Sequence, residues 1–212
     1  MREQVRALRK THVDRSLAEV REQAAHCRDC PLWKHATQTV FGAGSRSARI
    51  MLVGEQPGDQ EDRTGKPFVG PAGKLLDRAL TDAAIDRKAT YVTNAVKHFK
   101  FEPRGKRRIH KKPSELEISA CHQWLERELA LLRPALVVAL GATAARAVFG
   151  RATAIEKNRG HIIAGAQAKS ALDSDLLVTV HPSFLLRVPD HDRDEAYERF
   201  VADLKLIRPY AS

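Results

Sequence analysis

Three cysteines in 212 residues are too few, and odd in number, for a disulfide framework; they are left as buried thiols or metal ligands. No apolar run approaches the ~20 residues of a membrane-spanning helix, so no membrane partner is expected. The basic start, residues 1–15, lacks the apolar stretch of a secretory signal and reads as a partly ordered N-terminus of a cytoplasmic protein. Internal repeats and low-complexity tracts are missing as well. Acidic residues are outnumbered, 26 against 36 Lys and Arg, for a net charge of +10. That balance points to a polyanionic partner, nucleic acid first, provided the charge is clustered.

What is present is an alternation of short apolar runs with amphipathic stretches. Residues 49–53, 90–96, 135–140 and 176–180 read as strands, the third apolar throughout as a strand buried on both faces is. Helices are expected over 16–26 with Ser16 as N-cap, 71–84 with Pro71 at its first position, 113–132, 142–149 and 192–207. The pattern implies a single domain over 1–212, a three-layer α/β/α sandwich around a central four-stranded, mostly parallel sheet. Residues 65–70 read as irregular and 97–112 as a long loop. Residues 151–174 are poorly patterned, with a hairpin around His161, Ile162 and Ile163 as the one hint.

In such a sheet ligands bind beyond the carboxyl ends of the strands. The first strand ends in Gly54-Glu55-Gln56-Pro57-Gly58-Asp59, the second in Asn94, the fourth in His181-Pro182-Ser183. Each has an ordinary alternative: solvated turn acids, an Asn bonded to its own loop, a His capping a turn. Together they set carboxylates, amides and an imidazole on one rim.

Cys27 and Cys30 have the spacing of a metal-binding pair. Cys121 faces inward on its helix, and His98 stands as a fourth donor. Three thiolates and an imidazole suit either a closed zinc site or an iron–sulfur cluster with one His ligand, and spacing does not choose between them. Residues 97–112 hold eight Lys or Arg against Glu102, +7 of the total +10. Phe99, Phe101 and Pro103 lie among them. A basic segment bordering the rim is what a nucleic-acid backbone requires, and its binding should weaken steeply with salt.

These motifs resemble the family 4 uracil-DNA glycosylases, and within that superfamily the UdgX group. The elements are Cys27-x-x-Cys30, the Gly54–Asp59 run, Pro67-Phe68-Val69-Gly70-Pro71, Thr93-Asn94, Lys106-Arg107-Arg108-Ile109-His110 and His181-Pro182-Ser183. The basic insertion ending in His110 is the UdgX mark. The resemblance implies a [4Fe–4S] cluster held by Cys27, Cys30, His98 and Cys121, with His98 where family 4 relatives carry a fourth Cys. It implies a bacterial cytosolic enzyme, expected as a monomer, acting on uracil-containing DNA, single-stranded by preference. Phe68 would stack on the extruded uracil, Asn94 would read its O4 and N3–H edge, and Gly54, Gln56 and His181 would line the base, with His181 and backbone N–H groups near Gln56 on O2. His110 would attack C1′ and remain attached, Glu55 would orient it or take its proton, and Asp59 would hold one of the two loops. Lys106, Arg107, Arg108, Ser183 and Arg187 would grip phosphates. The rival expectations are an ordinary multiple-turnover glycosylase in which His110 only touches DNA, and a non-catalytic iron–sulfur nucleic-acid-binding module.

Overall fold

The computed structural model describes residues 16–167 and 173–211; the basic segment 1–15 lies outside them. Helix α1 (Leu17–Ala25) starts at Ser16, whose side chain accepts from the Glu19 N–H. The chain continues through β1 (Ala43–Gly44), β2 (Ile50–Gly54), α2 (Asp59–Thr64), α3 (Pro71–Asp82) and β3 (Thr90–Asn94). A hairpin of β4 (Phe101–Arg104) and β5 (Arg107–His110) precedes α4 (Glu115–Leu132), β6 (Leu136–Leu140) and α5 (Ala142–Phe149). Last come α6 (Ile155–Asn158), β7 (Ile162–Ile163), β8 (Asp175–Thr179), α7 (Pro182–Leu185) and α8 (Asp190–Lys205).

The four expected strands form the parallel heart of the sheet, in the order β3-β2-β6-β8. Two short antiparallel strands extend it, β1 beside β3 and β7 beside β8. The sheet is thus six-stranded at its fullest, and the hint at 161–163 resolves into an edge strand on β8. Period-two alternation divides the strands between two cores. Met51, Val53, Tyr91, Val137, Ala139, Leu176 and Val178 face α1, α4 and α5. Ile50, Leu52, Val92, Val138, Leu140 and Leu177 face α3 and α8 through Leu76, Leu80, Phe200 and Leu204. Both faces being covered, the strand interiors can be apolar throughout.

Two stretches differ from expectation. The segment after Gly58 is helical, because Glu61 folds back so that its Oε2 accepts from the Gly58 N–H (3.1 Å) and its Oε1 from the Gly70 N–H (2.6 Å). Residues 97–112 are no flexible loop. Their centre is a hairpin turning at Gly105, whose φ of 59° suits the left-handed conformation. A two-stranded hairpin is marginal alone in water, so this one depends on its anchors.

Candidate active site

The parallel strands deliver Glu55, Asn94 and His181 to one end of the sheet, where β5 also brings His110. A cavity of about 410 Å³ opens there, lined among others by Gln56, Asp59, Phe68, Asn94, His110 and His181. Its floor depends on Gly54: a Cβ at that position would lie 2.4 Å from Asn94 Oδ1 and 2.6 Å from Phe68 Cζ. Phe68 holds φ at 57°, a conformation costing a bulky residue roughly 1–3 kcal/mol and typical of sites where geometry outranks stability. The Glu61 carboxylate that bonds Gly70 fixes the loop carrying it. Phe68 and His181 face one another with ring centroids 6.1 Å apart.

The protonation of His181 can be read from its neighbours. The Ser183 backbone N–H donates to His181 Nδ1 at 3.1 Å, and the Ser183 hydroxyl lies 2.8 Å from the same nitrogen. Nδ1 is therefore an acceptor, and the ring proton resides on Nε2. Burial first, and then the Arg187 charge and the cost of a second charged imidazole beside His110, push the His181 pKa down to about 4. It is a neutral donor at physiological pH.

His110 Nε2 stands 3.4 Å from Glu55 Oε1 and 2.8 Å from Gln56 Nε2. Gln56 is oriented by backbone: its Oε1 accepts from the Lys100 N–H (3.0 Å) and its Nε2 donates to the Lys111 carbonyl (2.9 Å). The amide thus offers its other hydrogen to His110, whose Nε2 accepts and whose proton sits on Nδ1. Burial lowers the His110 pKa; Glu55 opposes that shift and Arg187 reinforces it. The imidazole is neutral, with its lone pair on the nitrogen beside the carboxylate.

The hairpin's second anchor is Arg108. It pairs with Asp59 and, at 2.6 Å, with Asp62, and its guanidinium lies 5.0 Å from the Phe101 ring centre and 5.4 Å from that of Phe99. Arg108, expected on phosphate, is turned inward because two carboxylates and two rings claim it; Asp59 joins the first loop to the hairpin through that pair. Ser183 is likewise turned inward, onto His181. Of the remaining cations, Lys100 pairs with Glu117 and Lys111 with Glu102, while Lys106 and Arg107 stay exposed at the tip. Arg187 borders a second cavity of about 310 Å³ behind His110, shared with Glu55, Thr143 and His181.

Lys97 departs furthest from its reading as part of the basic segment that faces nucleic acid. It is fully buried, with Nζ bonding Glu128 Oε2 (2.5 Å), Thr93 Oγ1 (2.6 Å) and the Asn94 carbonyl (2.8 Å). The Tyr91 and Thr93 hydroxyls and the Gly42 N–H also donate to Glu128. Sequence offers no direct signal for this pair, since its partners lie 31 positions apart.

Beyond Lys97 lie the cysteines. The Lys97 N–H donates to Cys121 Sγ at 3.1 Å and Trp124 Nε1–H to Cys27 Sγ at 3.2 Å. Burial pushes the Cys121 thiol up to about 12 and raises Cys30, with the neighbouring thiols contributing to both. His98 is buried; Nε2 pairs with Thr39 Oγ1, while Nδ1 is the one buried side-chain polar atom among the described residues without a partner. No three His, Cys, Asp or Glu among those residues converge as ligands of a single metal ion.

Comparison with known proteins agrees with this layout. Residues 41–205 match the model of the uracil DNA glycosylase superfamily. The type-4 uracil-DNA glycosylase of Thermotoga maritima is 39% identical over 79% of this chain and 82% of its own length. The type-4 enzyme of Archaeoglobus fulgidus is 32% identical over 91% of this chain and 92% of its own length. With the fold, the rim and these similarities together, the chain belongs to the uracil DNA glycosylase superfamily.

Proposed function

We propose that this protein excises uracil from DNA, single-stranded by preference, and is then captured on the product through a bond between His110 Nε2 and C1′ of the abasic sugar. The observation that supports the reading is the position of the His110 imidazole, 3.4 Å from Glu55 and held at the cavity by an anchored hairpin.

Uracil extruded from the stack or presented by a single strand enters between Phe68 and Asn94. The Asn94 amide matches the O4 and N3–H edge of uracil and mispairs with the amino group of cytosine. As the N1–C1′ bond breaks, its electron pair leaves with the base. His181 Nε2–H and backbone N–H groups near Gln56 donate to O2, where negative charge accumulates. Glu55 stabilises the oxocarbenium-like sugar. The His110 lone pair, released by the Gln56 amide, then forms the N–C1′ bond, and the resulting imidazolium loses its Nδ1 proton to solvent. Lys106, Arg107 and Arg187 meet phosphates in this reading.

Cys27, Cys30, His98 and Cys121 would hold a [4Fe–4S] cluster: backbone and indole N–H groups already point at the Cys121 and Cys27 sulfurs, and the unpaired His98 Nδ1 offers the fourth donor. When bound, the cluster supplies a cross-link among α1, α4 and the segment following β3.

Incubation with single-stranded uracil-containing DNA and denaturing electrophoresis tests the reading. A denaturant-resistant shifted band that disappears in His110→Gly is expected. Free abasic product without a shifted band would leave an ordinary turnover enzyme, and unchanged DNA a binding module.

A further inference from the structure

The two oxygens of Glu55 have different partners. Oε1 faces His110 Nε2 at 3.4 Å, while Oε2 accepts a hydrogen bond of 2.5 Å from the Thr143 hydroxyl. Thr143 is buried, at the second position of α5. It arrives there because Gly141, at φ 89°, turns the chain sharply from β6 into the helix. A side chain at Gly141 would press on His181, since its Cβ would come within 3.1 Å of the His181 Cβ. Thr143 therefore meets Glu55 from the wall opposite the hairpin, in the cavity behind His110.

We propose that Thr143 is a positioning residue that selects the fate of the abasic sugar, by locking Glu55 so that its free oxygen faces His110 rather than a water. The inference rests on the covalent reading above. A hydroxyl has one proton to donate, and here Glu55 Oε2 receives it. With Oε2 occupied, the carboxylate cannot turn about its terminal bond without breaking a hydrogen bond to a charged acceptor, among the stronger kinds in proteins. Freed from Thr143, the same carboxylate gains an oxygen with which to hold water against C1′, the attacker that leads to turnover. Thr143 acts through Glu55, whose Oε2 it holds.

The test is the partition of excised uracil between adduct and free abasic DNA, measured together with total uracil release. Thr143→Val removes the hydroxyl at nearly constant shape, and Thr143→Ser restores it. In the Val variant the ratio of adduct to free abasic product should fall about tenfold, the scale of one hydrogen bond to a charged group. Total uracil release should fall less steeply than that ratio, because Glu55 keeps its charge beside the sugar, and Ser should recover the wild-type ratio. A merely structural role would lower melting temperature and total release together and leave the ratio unmoved. An unchanged ratio in Val, or a ratio that Ser fails to restore, overturns the inference while the covalent reading stands. Wild-type protein yielding free abasic product alone overturns both.

Discussion

Removing the Gln56 side chain while keeping its backbone isolates the hairpin anchor from the base-binding N–H groups. In Gln56→Ala the hairpin root loses the 3.0 Å bond from the Lys100 N–H and the 2.9 Å bond to the Lys111 carbonyl. His110 loses the 2.8 Å contact that fixes its tautomer. At about 1 kcal/mol net per hydrogen bond, the two root bonds amount to ~2 kcal/mol, or roughly a 30-fold shift from docked to undocked hairpin. Arg108 remains, so the hairpin loosens rather than unfolds. Single-turnover assays on single-stranded uracil DNA should show adduct formation slowed about 10- to 30-fold, with uracil release changed by less than about threefold. Hydrogen exchange at residues 100–111 should accelerate in parallel. An adduct formed at the wild-type rate, with the hairpin amides still protected, would refute the idea that Gln56 holds the nucleophile.

Gly54→Ala places a methyl 2.4 Å from Asn94 Oδ1, so uracil release should fall by about two orders of magnitude while circular dichroism stays near wild type. Arg187→Gln removes a positive charge that holds the His110 pKa down. Protonated His110 is no nucleophile, so the acid limb of the adduct-rate profile should move to higher pH; a limb that stays or moves lower contradicts the assignment. Lys97→Met strands Glu128 as a buried charge and should cost about 3–5 kcal/mol of stability by denaturant melt, partly recovered by adding Glu128→Gln.

The four parallel strands were legible because each is a short apolar run whose alternation is hidden by burial on both faces. Glu55, Asn94 and His181 followed from a general property of such sheets, that the carboxyl ends gather on one rim. What could not be read were pairings between distant segments. Lys97 lies in a cationic run yet meets Glu128 across 31 positions, and Arg108 meets carboxylates 49 and 46 positions away. Thr143 escaped because a threonine in the first turn of a helix usually bonds its own backbone. The hairpin was hidden by charge: alternation is obscured when both faces carry Lys and Arg, and Pro103 within β4 argues against a strand except at an unpaired edge. Glu61 left a faint trace, an acid three residues beyond the Gly that opens its helix.

The bond between protein and sugar is the centre of the account, and peptide mapping by mass spectrometry after digestion of the adduct addresses it most directly. The deoxyribose mass is expected on the peptide containing Ile109-His110-Lys111, with fragmentation placing it on the imidazole. Attachment to any other residue, or a wild-type reaction that consumes uracil yet leaves every peptide unmodified, would contradict it.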